Sequence, residues 1–123
     1  MRLFYGPASP YARMVRIALM ETGLDELVRK QEVTLRNPGS SPSVMALETT
    51  RVNRSADVLE RAVFGGAYAG PISASQIVLG CALGWIDPVH PVWRRRDERP
   101  ALAAWYNAIA TRPSFAQTVP LPP

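Results

Sequence analysis

The sequence predicts two unlike parts, an α/β piece up to about residue 50 and an all-helical piece beyond it. Two observations carry this. An apolar strand signal, a helical pattern and a second strand signal follow one another before residue 36. From Arg51 onward, apolar residues recur at spacings of three and four, the mark of helices with one buried side. A chain of 123 residues suffices for one core and is short for two independent ones, so residues 1–50 and 51–123 are expected to be regions of a single body.

Residues 2 to 5, "RLFY", form the first strand candidate, closed by Gly6 and Pro7. Ser9 followed by Pro10 is a helix-start signal: a hydroxyl to cap free N–H groups, then a proline at a position that needs none. The spacing predicts a helix from Pro10 or Tyr11 to about Thr22, with Val15, Ala18 and Leu19 sharing its apolar face, Tyr11 and Met14 nearby, Arg13 and Arg16 on its flank, and Gly23 ending it. Val33 and Leu35 mark a second strand, and strand, helix, strand in that order favours a parallel pair. The stretch "NPGSSPSV", residues 37 to 44, is turn chemistry, and "MALE" after it opens either a strand or a helix.

Val52, Ala56, Leu59 and Val63 predict a helix over residues 51 to 63, ended by Gly65 and Gly66. Ser73 and Gln76 then form a capping box behind a stapling Ile72. The helix they open, to about Ile86, is apolar on nearly every side and should sit at the centre of a bundle, stopped by Asp87, Pro88 and Pro91. Gly80 and Gly84 would let another backbone approach it closely. A last helix opens at Pro100, buries Leu102, Trp105, Tyr106 and Ile109, and stops at Pro113, leaving an extended tail that Phe115 anchors.

Composition narrows the function. Apolar residues are 47% and charged residues 20% of the chain, which is a composition that folds. The net charge is +4, and its one dense basic run is Arg94, Arg95, Arg96 and Arg99. No aromatic residues interleave with that run to stack on bases, which favours a solvated loop over a nucleic-acid surface. No apolar run is long enough to span a bilayer. Cys81 and His90 are single residues without partners at metal-ligand spacing, so no disulfide and no thiolate metal site is expected, and a reducing cytoplasm is the default. The "GPASP" loop lacks the glycines of a dinucleotide fingerprint and the lysine of a P-loop. What remains is Ser9, either a plain cap or a hydroxyl acting where the helix terminus favours an anion.

Three stretches resemble one family. "SPYARMVR" from Ser9 to Arg16 is similar to the catalytic loop and first helix of bacterial glutathione transferases; "SASQIVLGCALGWID" is similar to their central buried helix, and "RPALAAWYNAIATRPSF" to their closing helix. The resemblance implies a partial thioredoxin-like strand-helix-strand unit followed by a helical bundle piece. It implies conjugation of reduced glutathione, as co-substrate and without a metal, to an electrophilic small molecule. Ser9 would donate a hydrogen bond to the glutathione thiolate; Pro10, Tyr11, Arg13 and Asn37 would complete the glutathione contacts, Arg13 through its positive field.

The pattern also departs from the family. "NPGSSPSVMALETT" has Val44 and Met45 where the family has a valine and a cis-proline, and after Thr50 the sequence passes directly to a helix from deep in the second domain. The family's intervening hairpin strands, its Glu/Asp-Ser motif and the first helices of its second domain are missing, so the chain reads as shortened by loss of its middle. The alternative function is therefore a non-catalytic member serving as a glutathione-binding or protein-interaction module. A two-stranded sheet leaves open edges, which predicts a homo-oligomer. No nucleic acid or membrane partner is expected.

Overall fold

The computed structural model describes residues 1–6, 9–32, 42–89 and 98–119. Its order is β1 (Arg2–Tyr5), α1 (Pro10–Glu21), a 3-10 turn (Asp25–Leu27), β2 (Arg29–Glu32), α2 (Pro42–Phe64), α3 (Ala74–Val89), α4 (Pro100–Ala110) and α5 (Pro113–Ala116). The strands pair in parallel, with Arg2 opposite Arg29 and Tyr5 opposite Glu32. Two short parallel strands around a helix, then helices alone, is the α/β plus all-α architecture that the pattern predicts.

The second strand forms within the expected segment as β2, Arg29–Glu32, and the residues read as marking it, Val33 and Leu35, lie outside the described residues. The next helix is longer than its periodicity suggests. It opens at Pro42, inside the stretch read as turn, and runs unbroken past residue 50 to Phe64. Proline is compatible with a first helical turn, so the same residue that reads as a breaker can start a helix. At the other extreme α3 includes Asp87 and Pro88, expected to stop it, and ends at Val89. The tail also differs: Pro113 begins the short helix α5.

Helix α3 is central, as predicted, because it feeds two apolar clusters from different sides. Ile77 and Cys81 join Ile17 of α1, Ile109 of α4 and Phe115 of α5. Leu79 and Leu83 join Ala56 of α2 and Leu102 of α4. Trp105 and Tyr106 pack against both clusters, so α4 ties them together. The capping box forms: the Ser73 N–H donates to Gln76 Oε1 at 2.7 Å, and the Gln76 N–H donates back to Ser73 Oγ at 3.4 Å.

The expectation that another backbone approaches Gly80 and Gly84 is corrected: the atoms nearest both glycines belong to side chains. A methyl group on Gly80 would stand 2.5 Å from the Phe115 ring, and one on Gly84 would meet the Arg13 guanidinium and, at 2.6 Å, the Tyr106 hydroxyl. Phe115 is fully buried, which is the anchoring expected of it.

The face of α1 is a correction. Val15 and Ala18 are exposed, and the buried side chains are Arg13 and Ile17. The packing stripe is centred one step round the helix from the most apolar one, because Phe115 of α5 and Thr118 just beyond it supply polar partners that let an arginine enter the core. The Arg16 guanidinium stacks on the Tyr5 ring at 4.9 Å and fastens α1 to β1.

Arg99 likewise leaves the basic run. It is buried, and its Nη2 donates to Asp57 Oδ1 of α2 at 2.7 Å. Beside it the Glu60 carboxylate accepts from the Ala101 and Leu102 N–H groups at 3.0 and 2.7 Å, supplying α4 with the cap that Arg99 lacks. Arg94, Arg95, Arg96 and His90 lie outside the described residues.

Candidate functional site

The N-terminus of α1 is built by one residue. Ser9 has extended backbone angles, φ −77° and ψ 121°, and its Oγ accepts from the Ala12 N–H at 3.3 Å. Its carbonyl accepts from the Arg13 N–H at 3.1 Å, and its own N–H donates to Gly6 O at 3.0 Å. Pro10 brings no N–H, and no acidic side chain stands in the first turn to offset the positive end of the helix. A hydroxyl is both acceptor and donor, so Oγ keeps its hydrogen after accepting from Ala12. Capping α1 and donating to an anion are thus compatible in one atom.

Immediately after Ser9 the surface is apolar. Pro10, Tyr11 and Met14 of α1 face Val78, Ala82, Trp85 and Ile86 of α3 across a groove of about 430 Å³. Tyr11 is 75% exposed and Val78 51%, so large apolar side chains stand open to solvent here. Only the Pro10 and Tyr11 end of this groove was singled out from sequence. The signal for the rest is the repeat at 78, 82 and 85: a helix apolar on nearly every side has more apolar faces than its neighbours cover.

Of the site residues inferred from resemblance, Ser9, Pro10 and Tyr11 stand together at the start of α1. Arg13 does not share their surface. It is 3% exposed, its Nη2 donates to Phe115 O at 3.2 Å, and its guanidinium lies 5.5 Å from the Phe115 ring centre. Asn37 and its loop lie outside the described residues. The lone thiol is no second centre: Cys81 is fully buried, and burial pushes its pKa up to about 11, against a smaller opposing pull from Arg13. Among the described residues no cluster of His, Cys, Asp and Glu could hold a metal ion, and no helix is long and apolar enough to cross a membrane.

The fold has solved counterparts. A glutathione transferase family member from Pseudomonas fluorescens Pf-5, with S-(propanoic acid)-glutathione bound, superposes with a TM-score of 0.82 at 23% identity, covering 99% of this chain and 100% of that one. A glutathione S-transferase from Methylobacillus flagellatus KT, with glutathione bound, gives 0.78 at 18% identity, covering 98% of this chain and 99% of that one. A glutathione S-transferase from Rhodospirillum rubrum F11 gives 0.61 at 17% identity, covering 99% and 93%. At these identities the likeness speaks for the fold. A search of curated proteins finds no match. Residues 42–108, more than half of the chain, match the family model for the glutathione S-transferase C-terminal domain, and the chain belongs to that family.

Proposed function

We propose that this protein is glutathione transferase-like: it holds glutathione at the start of α1, stabilises the thiolate through Ser9, and presents it to an electrophile in the adjoining apolar groove. The observation that carries the reading is the dual engagement of Ser9, whose Oγ caps Ala12 and still has a hydrogen to donate. The positive helix end assists, since it favours the thiolate over the thiol. In the reaction the thiol proton leaves to solvent and the sulfur lone pair forms a C–S bond to the electrophilic carbon. A leaving group departs, or the electron pair of an activated double bond is displaced and protonated. No covalent enzyme intermediate is needed. The groove suits an apolar, aromatic-bearing electrophile, because Tyr11 and Trp85 offer ring faces within an aliphatic lining.

One observation favours the second reading, a non-catalytic glutathione-binding or protein-interaction module. The Arg13 side chain is committed to the interior, so the candidate glutathione contacts among the described residues reduce to Ser9, Pro10 and Tyr11, in a chain read as shortened in its middle. Arg13 then acts on the thiolate only through its field. Glutathione gripping falls to residues 1–50 under this proposal, and most of the electrophile lining to residues 51–123, with α2 continuous across the division. The open sheet edges support a homo-oligomer, and a monomer in light scattering at micromolar concentration would remove that part. The single cysteine is consistent with a cytoplasmic setting.

Calorimetric titration with reduced glutathione, followed by turnover with an activated aryl halide, separates the readings. The transferase reading expects saturable binding and turnover that Ser9→Ala abolishes. Binding without turnover favours the module, and no binding at millimolar glutathione rejects the transferase.

A further inference from the structure

The segment from Arg112 to Thr118 grips α1 near both of its ends. At the C-terminal end, Arg112 donates to both oxygens of Glu21, Nε to Oε1 at 3.1 Å and Nη2 to Oε2 at 2.6 Å, and Ser114 Oγ donates to Oε1 at 2.5 Å. In the first turn, Arg13 Nε donates to Thr118 Oγ1 at 3.4 Å. Thr118 Oγ1 in turn donates to Ser114 O at 2.7 Å. The polar contacts therefore run without a break from Arg13 through Thr118 and Ser114 to Glu21 and Arg112. Thr118 is 2% exposed and Ser114 4%, so water cannot stand in for a lost partner there.

Starting α1 does not require this network, since Ser9 alone caps it. The network does reach the cap: the Arg13 N–H is bonded to the Ser9 carbonyl, so whatever fixes Arg13 fixes the turn that carries Ser9. Arg13 is sparsely held. Among the described residues Nη1 has no hydrogen-bond partner, which leaves Thr118 Oγ1 and Phe115 O as the acceptors described for Arg13. Thr118 is half of that set, although it lies 105 residues away in sequence.

We infer that Thr118 is a positioning residue for Ser9: by holding the Arg13 guanidinium it fixes the first turn of α1, and with it the direction of the cap hydroxyl. The consequence for catalysis rests on the transferase reading above; the consequence for the turn does not. A hydroxyl that must meet a sulfur at one angle is sensitive to small rotations of its turn.

The test compares Thr118→Val, which keeps shape and removes the hydroxyl, with Thr118→Ser, which restores it. Amide hydrogen exchange by NMR is read at Ala12 and Arg13, with Leu102 of α4 as reference. Thr118→Val should speed exchange at Ala12 and Arg13 about ten-fold while Leu102 is unchanged, and Thr118→Ser should return them to wild type. With glutathione and an activated aryl halide, kcat should fall about ten-fold with less than a two-fold change in KM for glutathione, again rescued by serine. Unchanged exchange at Ala12 and Arg13, an equal rise at Leu102, or no rescue by serine overturns the inference. If the wild-type protein shows no turnover, the transferase reading fails, and the exchange data alone decide whether Thr118 holds the turn.

Discussion

Two buried arginines join helices in this molecule, and they do it differently. Arg99 ties α4 to α2 with a carboxylate partner, Asp57. Arg13 ties α5 to α1 with a carbonyl, a hydroxyl and a ring, and has no ion-pair partner among the described residues. The first joint is a paired charge at the edge of an apolar cluster, where the Asp57 side chain is still 56% exposed. The second is a polar chain between an apolar cluster and the candidate site. The difference teaches that the α2–α4 joint rests on a charge pair at its buried arginine, whereas at Arg13 the α1–α5 joint rests on packing and neutral acceptors, its charge pair, Arg112–Glu21, standing at the other end of α1.

The largest effect should come from shape. Phe115→Ala empties the space above Gly80 and should cost about 3–5 kcal/mol in urea unfolding. A loss under about 1 kcal/mol would break the view that packing dominates that joint. Next is the charge pair: Asp57→Ala leaves Arg99 buried with the Asn53 oxygens as the remaining acceptors of its side chain among the described residues and should cost about 1–3 kcal/mol, moderated by water that can enter at the exposed carboxylate side. Arg13→Met, by contrast, removes a charge that has no carboxylate to leave behind. Its cost should be about 1 kcal/mol or less, and a larger loss than for Asp57→Ala would invert the comparison.

A smaller effect is pH-dependent. Hydrogen bonds from Arg112, then from Ser114, hold the Glu21 carboxyl below its ordinary value of 4.5. Stability from this group is therefore fully present above the ordinary value and is lost as pH falls through the lowered one. Glu21→Gln should flatten that acid limb in thermal melts at stepped pH; an unchanged limb would show that Glu21 is not held by α5. The smallest effect concerns Cys81, whose burial and raised pKa predict labelling by a thiol reagent only at the rate of opening of the core. Fast labelling in native buffer would contradict the central placement of α3.

Features set by neighbours in sequence were legible in it. The Ser9–Pro10 start of α1, the Ser73–Gln76 box and the close approach at Gly80 and Gly84, made by side chains where a backbone was expected, each follow from residues within one turn or from a missing side chain. Features set by distant partners were not. Arg13 reads as a flank residue by periodicity, and only the arrival of Phe115 and Thr118, more than 100 residues later, gives it a buried role. The role of Glu60 is likewise set from afar, by α4, which brings two N–H groups to its carboxylate. The groove was half legible: Tyr11 was named with its motif, while Val78 and Trp85 were hidden in a helix read as wholly central. Pro42 was read as a break although proline is compatible with a first helical turn, and Pro88 was expected to stop α3, which includes it.

The account turns on Ser9 being cap and donor at once. The most direct test follows the ultraviolet absorbance of the glutathione thiolate on the protein, beside unfolding measurements, for wild type, Ser9→Ala and Ser9→Gly. The account predicts a thiolate band on the wild-type protein at a pH where free glutathione shows none, and loss of that band in both variants. It predicts a stability cost of about 1 kcal/mol for alanine and a few tenths for glycine, since glycine is a tolerable cap without a hydroxyl. A thiolate band that survives in Ser9→Ala, or none on the wild-type protein at millimolar glutathione, would contradict it.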